Sequence, residues 1–396
     1  MERDNLIYWI WYSCACETAT SKTDALTERF HCDARAIWEA DRSTYEACGF
    51  CTNHLEALCN KDLSEAEAIA AYCEKQGISV LTQDRPEYPS ALRRIMTRPI
   101  LLYMRGTLPD LDKHLCIAMV GTRRMTGYGK EQAYKIAFDL ARNGACVVSG
   151  MAKGIDGVSH RGCLDGGGKT VAVLGCGVDV CYPPIHAGLM REIAANGAVL
   201  SEYKPGRRPG STLFPARNRI ISGLAAGTLV VEAGVRSGAI ITAKRALAQG
   251  RDLFALPGNV GELNSVGTNQ LIRDGARSIA SAADILEPYI PLFSAGVLER
   301  IPYEAHRPVW NETAKKKAPS APSHDANGVS PNVLHALNGK ERAVYEKLAC
   351  DRAVSADELV GRELTLVDVM TACTMLEIKG LIEGVPGGMY RRKTQN

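Results

Sequence analysis

Cys146-Val147-Val148-Ser149-Gly150-Met151-Ala152-Lys153-Gly154-Ile155-Asp156 joins a short apolar run to a glycine-bearing turn, and a helical stretch, Gly157–Asp165, follows. An apolar run without polar alternation fits a strand covered on both faces. The same unit recurs on either side. Further strand-like runs are Cys116–Val120, Thr170–Leu174, Ala198–Ser201, Thr228–Val231 and Leu253–Leu256. Helix-like stretches lie between them, at Gly129–Asn143, His186–Ala195 and Ser237–Gln249. Strand–helix–strand repetition of this kind predicts an α/β fold, a Rossmann-like, doubly wound, mostly parallel sheet.

Such a sheet binds ligands beyond the carboxyl ends of its strands. Here those ends carry glycine-rich loops. They are Gly121-Thr122-Arg123-Arg124, Ser149-Gly150 running on to Lys153-Gly154, Gly175-Cys176-Gly177, Gly234-Val235-Arg236-Ser237-Gly238 and Pro257-Gly258-Asn259. Glycine lets backbone N–H groups approach a ligand, and helix N-termini favour anions. Arg123, Arg124, Lys153 and Arg236 add cations at the same edge, so the expected site is a phosphate-binding rim. Gly121, Gly127 and Gly129 do not fit the GxGxxG spacing, and no GxxxxGK[ST] run occurs, which excludes the dinucleotide and P-loop fingerprints.

Phe214-Pro215-Ala216-Arg217-Asn218-Arg219-Ile220-Ile221 reads as a loop before an apolar run. Arginine grips phosphate through a planar fork, and an aromatic ring stacks on a base. Phe214, Arg217, Asn218 and Arg219 therefore suit an unpaired strand better than a duplex. The alternative is a structural clamp, with Arg217 and Arg219 paired to Glu202 or Glu232. Asp156 and His160 stand four residues apart and share a helix face; the pair reads as closing a helix start rather than as acid–base machinery.

Residues 1–77 read as a small helical domain, with a capping box at Ser64 and Glu67. Residues 78–290 hold the sheet. Residues 291–335 carry Pro302, Pro308, Pro319, Pro322 and Pro331 beside Lys315-Lys316-Lys317, and read as a flexible linker. Residues 336–396 give helices at Glu341–Ala349, Ser355–Val360 and Leu366–Lys379, then a glycine-tipped hairpin, the pattern of a winged helix. That pattern serves nucleic-acid and protein binding alike.

The 396 residues carry a formal charge of +3, which excludes coating of DNA through bulk charge and requires a local patch for any nucleic-acid contact. There is no apolar run of membrane-spanning length, and Met1–Tyr12 lacks the form of a signal peptide, so a cytoplasmic location is expected. Of the 14 cysteines, Cys48 and Cys51 form a CxxC with His54 and Cys59 nearby. No second CxxC stands at ligand spacing, so free structural thiols are expected rather than a metal site.

Taken in order, the motifs resemble the DprA/Smf family. They run through Gly121-Thr122-Arg123, Ser149–Asp156 with His160, Gly168-Lys169-Thr170 through Gly175, Tyr182-Pro183, Ser201-Glu202-Tyr203, Phe214–Ile221, Val231-Glu232-Ala233, Gly250-Arg251 and Pro257-Gly258. The resemblance implies single-stranded-DNA binding, protection of incoming DNA, homodimerisation, and loading of RecA recombinase in natural transformation, with no cofactor and no turnover. It places the pocket arginine on Arg123 and the basic loop on Phe214, Arg217 and Arg219; Lys169, within one of the matching motifs, is a further candidate DNA contact. Two positions depart from the pattern. Pro184 stands where members often carry lysine, and Ser13–Thr18 lacks the glycine of a helix-hairpin-helix, which makes residues 1–77 a degenerate version.

Two rival classes remain. A phosphoribohydrolase-like enzyme on a related sheet would need a catalytic glutamate, and Thr242 stands at that position, with Ala239 in place of the motif threonine. A nucleotide-binding sensor module is compatible with the rim, and a nucleotide-induced thermal shift without DNA binding would favour it.

Overall fold

The computed structural model describes residues 2–299, 337, 339–348, 354–360, 364–379, 381–385 and 389–393. The chain divides into two compact units, Met1–Pro308 and Val309–Asn396.

The first unit is organised by one nine-stranded sheet. Its strands are β1 (Ser79–Thr82), β2 (Leu101–Gly106), β3 (Cys116–Val120), β4 (Cys146–Ser149), β5 (Thr170–Leu174), β6 (Ala198–Ser201), β7 (Gly227–Val230), β8 (Asp252–Ala255) and β9 (Arg277–Ser278), in the order β1-β2-β6-β5-β4-β3-β7-β8-β9. From β6 across to β9 every pairing is parallel. The β1 and β2 arms pair antiparallel at one edge. The sheet is thus the mostly parallel one expected.

The strand sequences lack alternation because both faces are covered. In β3, Ile117 and Met119 join a cluster with Ala133, Ile136 and Leu140 of the Gly127–Arg142 helix. Ala118 and Val120 join the opposite cluster, with Ile220 and Ala243. In β5, Val171 and Val173 follow Ala118, whereas Ala172 and Leu174 face a third cluster. That third cluster contains Trp9, Tyr12, Tyr45 and Leu58 from the N-terminal helices, together with Leu101, Tyr103 and Val199 of the sheet. The helical segment that ends at Gly77 therefore shares one core with β2, β5 and β6.

Two segments differ from the sequence reading. Phe214–Ile221 is not a loop: Leu213–Gly223 is an α-helix with Pro215 in its first turn, where the missing N–H removes no helical bond. The linker does not begin at residue 291, because Ile290–Ser294 is helical and Glu299 bridges to His114. Residues 300–335, including Lys315–Lys317, lie outside the described residues.

The second unit holds helices Gly339–Lys347, Ala356–Leu359 and Leu366–Ile378, and a three-stranded antiparallel sheet of β10 (Val354–Ser355), β11 (Ile382–Val385) and β12 (Met389–Arg392). This is the element order of a winged helix. Val344, Tyr345, Leu359, Val369, Cys373 and Leu376 form its core. No described helix is long and apolar enough to cross a membrane. Every described cysteine is a free thiol, and no group of three His, Cys, Asp or Glu residues could hold a metal among the described residues.

Candidate nucleic-acid interface

The carboxyl ends of β3, β4, β5 and β7 bring four glycine-rich loops together. After β3, the Thr122 N–H donates to the Glu232 carbonyl at 2.8 Å, and its own carbonyl accepts from Ile155 at 3.2 Å. These bonds lock the β3 and β4 loops to β7. Gly154 turns there at φ +82°, and a Cβ on it would lie 2.3 Å from the Thr122 oxygen, so only glycine fits.

A cleft of about 600 Å3 opens at this edge, walled by Gly121, Arg123, Tyr182, Phe214, Asn218 and Ser237. Ser237 caps the Gly238–Ala248 helix, whose first turn also lines the cleft and directs its N-terminus there. The exposed Arg123 guanidinium lies 5.2 Å over the Phe214 ring. Tyr182 and Phe214 are ring neighbours at 5.5 Å and 34°. Arg124, Lys153 and Arg236 are exposed on the adjoining loops. Cations and aromatic faces thus alternate around a glycine edge.

Other expected contacts are structural. Ser149 is buried, and its Oγ donates to the Met119 carbonyl at 2.6 Å. The Gly150 carbonyl accepts from Arg217 Nη1 at 3.0 Å. Arg217 also donates to the Val173 carbonyl and to Asn218 Oδ1, and forms the cleft floor rather than its rim. Burial pulls its guanidinium below the usual arginine range, with neighbouring Asp156 opposing the shift. Burial likewise raises the Asp156 carboxyl, despite Arg217 and backbone N–H bonds at Ala152 and Gly150.

Two assignments are corrected. Arg219 does not line the cleft but is buried: Nη2 pairs with Glu202 at 2.5 Å, Nε donates to the Thr97 carbonyl at 2.8 Å, and Nη1 donates to the Ala216 carbonyl at 3.1 Å. It is the clamp, because a helix turns that face of the segment into the core. Lys169 is exposed, but it precedes β5 and so stands at the amino edge of the sheet, away from the rim. Glu232 pairs with neither arginine; its carboxylate accepts from Thr126 N at 3.0 Å and from the Thr126 hydroxyl.

His160 is fully buried. Thr170 Oγ1 donates to the Val147 carbonyl at 2.7 Å, so its hydrogen is committed and His160 Nδ1, 2.7 Å away, is the donor. Burial first, then His186 and Arg217, lower the ring's pKa from 6.5 to about 3. The neutral ring is structural. Because the unfolded chain takes up the proton near 6.5 and the folded one near 3, stability is lost as pH falls below 6.5. Between pH 7 and 5 the loss is about 2 kcal/mol. Urea unfolding of wild type and His160→Asn at both pH values should show a loss larger in wild type by about that amount.

Tyr182 was visible in the sequence only as part of a Tyr-Pro motif. An aromatic residue following a glycine loop at a strand end was the available signal.

Residues 79–289 match the family described as DNA recombination-mediator protein A. Protein Smf of Synechocystis is 37% identical over 328 residues, covering 79% of this chain and 80% of the relative. DNA processing protein DprA of Streptococcus pneumoniae is 44% identical over 202 residues, 51% of this chain and 71% of the relative. The X-ray structure of the S. pneumoniae protein superposes with a TM-score of 0.63 at 34% identity, covering 71% of this chain and 97% of that one. A Helicobacter pylori DNA processing protein A, whose structure concerns a single-stranded DNA binding mode, gives a TM-score of 0.50 at 33% identity over 54% of this chain and 96% of that one. With this sheet, this glycine edge and these matches, the chain belongs to the DprA/Smf family of DNA recombination-mediator proteins.

Proposed function

We propose that this protein binds single-stranded DNA along the carboxyl edge of its sheet and hands it to RecA recombinase as a homodimer in the cytoplasm, without catalytic turnover. The observation that carries the reading is the exposed Arg123 guanidinium stacked over Phe214 beside Tyr182 at the mouth of the cleft. A fork for phosphate beside two ring faces suits an unpaired strand, whose bases are free to stack. The H. pylori relative's single-stranded DNA binding mode and the family's description as recombination mediators support it. Thr242 stands where a hydrolase of related fold needs its carboxylate, and its hydroxyl donates to the Gly238 carbonyl at 3.3 Å.

The test is fluorescence anisotropy with single-stranded and duplex oligonucleotides of about 30 nucleotides. If Arg123, Arg124, Lys153 and Arg236 each neutralise one phosphate, log affinity falls with log salt at a slope of about −3. Single-strand affinity should then drop about 50-fold between 50 and 200 mM salt. Equal affinity for duplex, or a slope near zero, would refute the reading. RecA filament formation on protein-coated strands and the mass in solution test the loading and the dimer separately.

A further inference from the structure

Beside the cleft lies a second cavity of about 350 Å3, lined by Arg123, Lys153, Tyr182, Pro184, Ile185 and Phe214. Arg123, Tyr182 and Phe214 line both spaces, so the ring pair and the guanidinium stand as a wall between them. The far side of the second cavity has different chemistry. It is built by Pro183, Pro184 and Ile185 at the start of a short 3-10 turn. Proline has no N–H, so this wall offers a phosphate almost no donors. What it offers is hydrocarbon. Ile185 is 75% exposed and Tyr182 38% exposed. With Pro183 and Pro184 they form an apolar wall directly beside the cationic rim, a surface suited to the flat face of a base. The volume falls within the roughly 300–1,000 Å3 of small-molecule sites, well beyond what one phosphate fills.

Building on the single-strand reading above, we infer that the Pro183–Ile185 cavity receives a second nucleobase. Phe214 and Tyr182 then separate two bases of one strand, and Arg123 holds a phosphate between them. Lys153, which lines only the second cavity, takes the phosphate beyond. The site is tolerant of sequence, because every base has an apolar face.

The test uses the full chain with a thymidylate oligonucleotide of about six nucleotides and with the abasic deoxyribose-phosphate chain of the same length. Ile185→Ser should weaken thymidylate binding about 5-fold or more, the scale of one stacked base. It should leave the salt slope and the abasic chain's affinity unchanged, and Ile185→Leu should bind as wild type. If Ile185→Ser binds thymidylate as wild type does, or weakens both ligands by the same factor, the second base site is refuted. The single-strand function would still stand provided that wild type binds with salt dependence and Arg123→Ala weakens it. Failure of wild type to bind either ligand would overturn both.

Discussion

Arg123→Ala should weaken single-stranded-DNA binding by roughly 10- to 100-fold, the scale of a hydrogen bond to a charged phosphate. The salt slope should become shallower by about 0.7, because one fewer counterion is released. Thermal stability should not change, since the side chain is exposed and its described contact is the face of Phe214. Arg123→Lys should fall between the two, keeping the charge but losing the planar fork and the stack. Anisotropy titrations at two salt concentrations check all three expectations. An Arg123→Ala protein that binds like wild type would remove the central residue of the proposed interface.

Arg219→Ala should act on the fold instead. Arg219 and Glu202 form a pair with side chains 5% and 4% exposed, and the Ala19 N–H also donates to Glu202 at 3.3 Å. Removing one member of a buried pair leaves the other charge uncompensated, at a cost of about 3–5 kcal/mol. Urea unfolding of wild type, Arg219→Ala and the double replacement Glu202→Met with Arg219→Met checks this. The double variant should recover part of the loss, because two apolar side chains need no partner. Folded Arg219→Ala protein should keep the wild-type salt slope. If it is as stable as wild type but fails to bind DNA, Arg219 belongs back on the interface.

These two arginines mark what the sequence could and could not convey. The parallel strands were legible because their apolar runs are only four or five residues long and bounded by glycine, too short for a buried helix. The rim was legible because parallel strands put all their carboxyl ends at one edge. The direction of a guanidinium was not. Phe-Pro-Ala-Arg-Asn-Arg has the composition of a loop, yet proline fits the first helical turn, and a helix sends Arg217 to the cleft floor and Arg219 into the core. Lys169 was misplaced for a related reason: it sits among family motifs, but its place before β5 puts it at the opposite edge. The antiparallel β1 and β2 arms were missed because nothing local marks an edge strand as reversed. Tyr182 became a site residue only once folding set its ring 5.5 Å from Phe214.

The core shared by the N-terminal helices and the sheet has a consequence for synthesis. Trp9, Tyr12, Tyr45 and Leu58 leave the ribosome first, but they pack with Leu174 and Val199, which are made more than one hundred residues later. At ordinary elongation rates that interval is roughly ten seconds. During it the nascent chain carries a half-built hydrophobic surface, the state in which a holdase chaperone finds its client. A break just after Gly77 would leave the apolar faces of the helical segment, and of Leu101, Tyr103 and Val199, without their partners. The helical segment and the sheet are therefore joined through one shared hydrophobic core, and each completes the other's buried surface.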